Sequence, residues 1–472
     1  MNFAEKPRMF LSSASAWADP PIQIKLSEVL GALSYALDIT EGQPQGHAAR
    51  SCMLGMRLAR DLRLSNQHSS ALFYALLLKD LGCSSNASKM CYLFGSDDRA
   101  AKRDIKTVDW TRISRSIRYV ARHVAPQGSI LRKAVKFAQV ALGGVAQTRE
   151  LVVMRCERGA SIAAQMQLPR ETSDAIRALD EHWDGHGHPD GLEGEQISPL
   201  ARILGLAQTA EVFIRQYGLD AAIDMAVDRS GTWFEPELVR IFVNLRHDTD
   251  FWREFQRGDP RRQVAAFEPA DQMLTADAGL LDRIASGFSQ VIDAKSPWTF
   301  RHSEGVAEIS VGIADVLGFD FSQRRYLRRA ALLHDVGKLG ISNLILDKPG
   351  KLTADELIEM RKHTRYTYEI LAHVAGFRDL ADLAASHHER LDGKGYHRGL
   401  CAGQLSTPAR ILSVADMYEA LAARRPYRQD LTPEEVMTIL TQNAGQGICP
   451  EVFAALKTWL AASDYKPYQL AA

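Results

Sequence analysis

A chain of 472 residues carrying 57 basic and 57 acidic side chains has room for two or three domains with cores of their own. Its zero net charge argues against a dedicated binder of nucleic-acid polymers or of membrane surfaces. No uncharged apolar run approaches the roughly 18–20 residues of a membrane helix. Six scattered cysteines without a Cys-x-x-Cys pair argue against a zinc ribbon or a disulfide framework and suit reduced thiols in a cytoplasmic protein.

In chain order, residues 1–25 read as a weakly ordered N-terminus. The apolar part of Met9–Ala16 is too short and too rich in Ser for a secretion signal. Beyond it strand signals are scarce and helical spacing recurs, as in Val306, Ile309, Ile313, Val316 and Leu317. Thr353-Ala-Asp-Glu356 and Thr432-Pro-Glu-Glu435 have the form of capping boxes at helix starts. The fold class that follows is all-α. His247-Asp248 reads as a solvated helix end, and residues 256–271, with Gly258-Asp-Pro-Arg-Arg262, as an interdomain linker.

The chain also repeats itself. His47 and Ala75-Leu-Leu-Leu-Lys-Asp-Leu-Gly82 precede His302 and Ala330-Ala-Leu-Leu-His-Asp-Val-Gly337 by the same interval, 255 residues. Asp184-Gly-His-Gly-His-Pro-Asp-Gly-Leu192 and Ala201-Arg-Ile-Leu204 precede Asp392-Gly-Lys-Gly-Tyr-His-Arg-Gly-Leu400 and Ala409-Arg-Ile-Leu412 by 208. Two tandem copies of one helical domain, 26–255 and 272–465, account for this order. The first carries an extra segment near 85–135, rich in basic residues (Lys102, Arg103, Lys106, Arg112, Arg115, Arg118, Arg122). The default reading of that charge is a set of solvated helical faces.

In the second copy, His302, His334, Asp335, His363, His387, His388 and Asp416 fall within 115 residues and include five of the fourteen histidines. His334, Asp335, His387 and His388 follow small and apolar residues suited to a core, and Asp416 lies in an otherwise apolar helical run. Buried, such groups need partners. Any one alone reads more simply as a hydrogen-bonded core residue; seven together point to metal. Five imidazoles and two carboxylates exceed one tetrahedral zinc and suit two divalent ions with a bridging Asp. The mixed donors favour iron or manganese, with zinc, magnesium or nickel as alternatives.

Together with Lys348-Pro-Gly-Lys-Leu-Thr353, His387-His-Glu-Arg-Leu-Asp-Gly-Lys-Gly-Tyr396 and Arg424-Arg-Pro-Tyr-Arg428, these residues resemble the HD-GYP family of bacterial cyclic-di-GMP phosphodiesterases, within the HD metal-hydrolase superfamily. The likeness covers about residues 295–460. It implies that the seven residues are metal ligands with Asp335 bridging, and that a water acidified between two metals opens cyclic di-GMP to pGpG, and onward to GMP in some members. Lys338 would lie over the reacting phosphodiester, Gly395 and Tyr396 would shape the guanine pocket, and Arg425 and Arg428 would contact substrate phosphates. Two alternatives stay open: turnover of another 3′,3′-cyclic dinucleotide, and a sensor that binds without turnover and relays to a signalling-protein partner.

Two departures from the family stand out. His397 replaces the Pro of the signature loop, which places loop-dependent partner binding in question. Trp298 stands where some members carry the Glu that binds a third metal, so two metals are expected. In the first copy, Lys79, Arg155, Leu179-Asp180 and Gln208 occupy the matching ligand positions. Cations there would repel a metal, and His182, His186 and His188 belong to the loop rather than to the ligand cluster. The expected role of this copy is structural: a packing partner, a homodimer surface or a regulatory input.

Overall fold

The computed structural model describes residues 24–109, 112–126, 128–270, 274–299, 301–374, 377–423 and 431–467. The expectation for the N-terminus falls mostly outside these, although residues 24 and 25 belong to the fold. Among the described residues every named element is a helix except for one two-stranded ribbon. In it β1 (Ile24–Lys25) pairs antiparallel with β2 (Thr275–Ala276), tying the start of one copy to the start of the other.

The first copy contains α1 (Leu26–Thr40), α2 (His47–Asp61), α3 (Asn66–Leu78), a short helix α4 (Asp98–Ile105) in the extra segment, the long α5 (Ile130–Gln165) and α6 (Pro199–Tyr217). The second contains α7 (Ala278–Asp293), α8 (His302–Val316), α9 (Phe321–Leu333), α10 (Ala354–Leu371), α11 (Arg378–Ala384) and α12 (Thr407–Ala422). Helices α2 and α8 begin at the two matched histidines. Both capping boxes form, at Thr353 with Glu356 and at Thr432 with Glu435. Apolar residues from both copies merge into one buried cluster, and a smaller one, with Met90, Phe94 and Tyr119, lies under the extra segment.

Three expectations need correction. Residues 256–270 form no loose linker: Gly258, at positive φ, ends one helix and Pro260 opens the next, Pro260–Val264. The buried Glu268 carboxylate then accepts from the Ser27 and Tyr74 hydroxyls, anchoring the segment on the first copy. Asp248 is a helix start, not a solvated end, for it accepts from Phe251 N and takes two bonds from Arg57. The basic segment also divides by position. Arg103, Arg115, Arg118 and Arg122 face solvent, whereas the Lys102 and Lys106 side chains are buried among acids.

Candidate metal centre

Helix α9 brings a buried apolar run to its C-terminus, where His334 caps it and Asp335 starts the tight turn Val336–Gly340. Both side chains are at most 1% exposed. A Cβ on Gly337 would lie 1.9 Å from the His363 carbonyl oxygen, so only glycine lets the turn touch α10. Thr367 fixes that contact by donating to His334 O at 2.8 Å and accepting from Gly337 N at 3.0 Å. His363 is thereby carried to the dipeptide. His302 opens α8, where Asp293 accepts from the backbone and hydroxyl of Ser303. His387 and His388 follow α11, and Asp416 projects from α12.

The seven residues singled out in the sequence converge. The two oxygens of Asp335 divide the histidines between them. Oδ1 faces His363 Nε2 at 3.5 Å and His387 Nε2 at 3.6 Å; Oδ2 faces His302 Nε2 at 3.4 Å and His334 Nε2 at 3.3 Å. Asp416 lies 3.3 Å from His302 Nε2 through Oδ1 and 3.7 Å from His388 Nδ1 through Oδ2.

The outer nitrogens set the ring orientation. His334, His363 and His387 each place Nδ1 2.7 Å from the carbonyl three residues earlier, at Ala331, Met360 and Ala384. A carbonyl can only accept, so Nδ1 of each ring carries a hydrogen and Nε2 faces inward, as a lone pair in His363 and His387, which burial keeps neutral. His302 Nδ1 is held by the Glu419 carboxylate. Within the cluster, His302 Nε2, His334 Nε2 and Asp335 Oδ1 are buried without a hydrogen-bond partner. His363 Nε2 and His387 Nε2 face each other at 3.2 Å. Two lone pairs in that relation repel unless an electrophile lies between or beside them. This donor set fits a pair of divalent cations.

The electrostatics have the same bias. Burial holds His363 down to about 3 and also lowers His387 and His388. Burial pulls His302 and His334 down too, but acids outweigh it: Glu419, Asp335 and Asp416 raise His302, and Asp335 and Asp416 take His334 to about 9. Asp335 and Asp416 are held well below the carboxylate range, because neighbouring cations and imidazoles overcome their burial. The pocket therefore combines inward lone pairs with two carboxylates that call for positive charge.

Lys338 reaches back to Asp335 Oδ2 and stays 18% exposed. Tyr396 lies over His388, with ring centroids 4.8 Å apart, and the Arg361 guanidinium sits 5.1 Å from the centroid of the Tyr396 ring. A Cβ on Gly395 would come within 2.6 Å of Glu389 and His388 backbone atoms, so glycine lets this loop fold onto the pocket. The buried Glu389 carboxylate accepts from Arg398 N and Leu400 N and shapes the same loop. His397 lies half-buried beside Tyr368, and the peptide bonds Tyr396-His397 and His188-Pro189 are both cis at matching positions. Trp298 lies in the turn Pro297–Thr299 ahead of α8. Arg425 and Arg428 fall outside the described residues.

Sequence reasoning missed Glu419, Asp293 and Thr367. The repeat held a signal for two of them: Glu211 holds His47 Nδ1 as Glu419 holds His302, and Asp38 accepts from Gly46 N and Ala48 N as Asp293 accepts from Ser303 N.

The first copy keeps this frame and inverts its charge. Lys79 occupies the His334 position and pairs with Asp80. Lys106 Nζ lies 3.1 Å from Asp80 Oδ1 and 3.0 Å from Glu41 Oε2, and Arg155 pairs with Asp180. Glu41, Asp80 and Cys83 are close enough to suggest a metal group, but the Lys106 ammonium already serves those acids. His182 stacks on Trp233 at 4.1 Å and His186 is exposed.

The model of the HD domain matches residues 144–238 and 287–452, reaching both copies. The chain is 40% identical over 432 residues to the 3'3'-cGAMP-specific phosphodiesterase 3 of Vibrio cholerae, spanning 92% of this chain and 94% of that protein. A crystal structure of a cyclic GMP-AMP specific phosphodiesterase of the same organism, V-cGAP3, superposes with a TM-score of 0.63 at 36% identity, covering 93% of this chain and 98% of that one. The cyclic di-GMP phosphodiesterase response regulator RpfG of Xanthomonas campestris is 35% identical over 36% of this chain and 46% of its own length. With the seven-residue cluster in the second copy and a degenerate counterpart in the first, the chain belongs to the HD-domain family, in its HD-GYP branch of cyclic-dinucleotide phosphodiesterases.

Proposed function

We propose that the second copy is a metal-dependent phosphodiesterase that opens 3′3′-cGAMP to a linear dinucleotide. The observation that carries the chemistry is the division of four inward-facing histidine nitrogens between the two oxygens of Asp335. His302, His334, Asp335, His363, His387, His388 and Asp416 would hold two divalent cations. Iron or manganese suits the mixed donors best. When bound, such a pair supplies Lewis-acid activation of water and neutralises charge developing on the phosphate.

The chain's own residues do the rest. Asp335 and the carbonyl-tethered imidazoles fix the donors in place before substrate arrives. Lys338, at the edge of the cluster, is placed to stabilise phosphate charge or to protonate the leaving oxygen. Tyr396 offers a ring face to a base, with Gly395 allowing its loop to lie close, and the family resemblance gives the phosphate contacts to Arg425 and Arg428. The base preference follows the relative that is similar over nearly the whole chain, first copy included. Cyclic di-GMP is the second reading, supported by the cyclic di-GMP phosphodiesterases that match over 36% and 39% of this chain.

Turnover of 3′3′-cGAMP and of cyclic di-GMP by Mn²⁺- or Fe²⁺-loaded protein, with Asp335→Ala alongside, tests this. Hydrolysis of cGAMP in preference, abolished in Asp335→Ala, is the expected result. Faster hydrolysis of cyclic di-GMP would select the second reading. Tight binding of either without hydrolysis by the metal-loaded wild type would overturn both in favour of a sensor.

A further inference from the structure

Helix α4 lies between the two copies, its first turn contacting the second and its next turn the first. Asp98, fully buried, accepts from the backbone N–H of Asn343 at 3.1 Å through Oδ1 and from Lys295 Nζ at 3.1 Å through Oδ2. Asn343 in turn donates to the Lys295 carbonyl at 2.7 Å. Arg99 Nη1 donates to the Gly340 carbonyl at 2.5 Å. Gly340 also abuts α1, where an added Cβ would lie 3.1 Å from Ile39 Cγ2. All these contacts fall on residues 340–343, immediately after the turn that presents Asp335 and Lys338, or on the approach to α8, which presents His302.

One turn further on, α4 faces the other way. Lys102 donates to the Cys83 carbonyl at 2.5 Å and lies 3.9 Å from Asp98. Just past the helix, Lys106 enters the first copy's degenerate site and meets Asp80 and Glu41. The position that holds a cation cluster in one copy is thus used, in the other, to root a helix whose opposite end grips the catalytic turn.

We propose that α4 is a strut that positions the Asp335–Lys338 turn, with Asp98 and Arg99 as positioning residues and the degenerate site as its anchor; its effect on turnover rests on the phosphodiesterase reading above. Displacing a reacting group by about 1 Å can cost on the order of 10²-fold in rate. Arg99 is the accessible end of the device. It is partly exposed, so its replacement spares the buried Asp98–Lys295 pair.

The test uses the full chain and two readouts. In metal-free Arg99→Ala, amide exchange over residues 338–343 should accelerate about 10-fold relative to wild type, with α12 unchanged. In the metal-loaded enzyme kcat should fall about 10-fold at a KM within about twofold. Arg99→Lys, which keeps a donor, should restore most of it, and Arg103→Ala, on the solvent face of the same helix, should change neither readout. In a Lys338→Ala background, Arg99→Ala should cost less than it does in wild type. A folded Arg99→Ala with wild-type exchange and kcat would overturn the strut, and so would an undiminished loss in the Lys338→Ala background. Faster exchange in Arg99→Ala together with an inert wild type would uphold the strut and overturn the phosphodiesterase reading instead.

Discussion

The two copies share a frame and differ in how they neutralise their acids. In each, a helix opens on a histidine whose Nδ1 is held by a glutamate, His47 by Glu211 and His302 by Glu419. In each, a glycine packs so closely on the next helix that a Cβ would lie within 2 Å of a carbonyl, Gly82 on Arg155 and Gly337 on His363. Above that common frame, the second copy presents imidazole nitrogens to Asp335 and Asp416, while the first presents Lys79, Lys106 and Arg155 to Asp80, Glu41 and Asp180. Where the second copy would take a mobile cation, the first carries cations on the chain. The packing that builds a metal site is therefore separable from the ligands that use it: the frame survives because it is core, and a few side chains decide whether it binds metal.

The comparison breaks most sharply at the paired aspartates. Asp335→Ala should lower kcat by about 10³-fold, several kcal/mol of transition-state stabilisation, with the fold intact by circular dichroism. Asp80→Ala should leave metal binding in place, lower kcat by no more than the roughly 10-fold expected of a loosened strut, and strand Lys79 and Lys106, lowering Tm. Next in size, Lys106→Met leaves Asp80 and Glu41 buried with less counter-charge and should destabilise the chain by about 3–4 kcal/mol in urea titration. An unchanged midpoint would mean that the first copy does not depend on its built-in cation.

Acid should separate the copies too. Burial and the nearby Lys79 draw His47 down to about 4, although Glu211 opposes this. Its folded pKa lies below the unfolded value, so the unfolded chain takes up the proton first. The stability this confers is present above about pH 6.5 and is lost as pH falls towards 4, amounting to about 3 kcal/mol over that window. His47→Gln should flatten the Tm-against-pH curve there; an unaltered slope would contradict the assignment. Smallest, Glu419→Gln should loosen the orientation of His302 and weaken metal affinity by about 10- to 100-fold. Glu211→Gln should leave metal affinity unchanged, and equal effects from the two would erase the distinction.

Much of this was legible in the sequence, for identifiable reasons. Helical periodicity and capping boxes report local energetics, and the repeat intervals of 255 and 208 residues carried the domain plan. The seven-residue cluster was readable because His and Asp next to core-like runs have few inexpensive explanations. Lys106 was not, because a lysine in a basic segment looks solvated until folding places it 3.0 Å from Glu41. Asp98 was hidden for the same reason, since its partners Lys295 and Asn343 lie 197 and 245 residues away along the chain. Glu268 shows the converse: a segment with turn residues looked like a linker, and one buried carboxylate ties it down. Periodicity registers what a residue's neighbours in sequence require, not what distant charges will meet.

The most direct measurement is the metal content of anaerobically purified protein and of its two aspartate variants. Two divalent ions per chain in wild type and in Asp80→Ala, with loss of both in Asp335→Ala, is the predicted result. Metal retained in Asp335→Ala, or lost on replacing Asp80, would contradict the division of labour between the two copies.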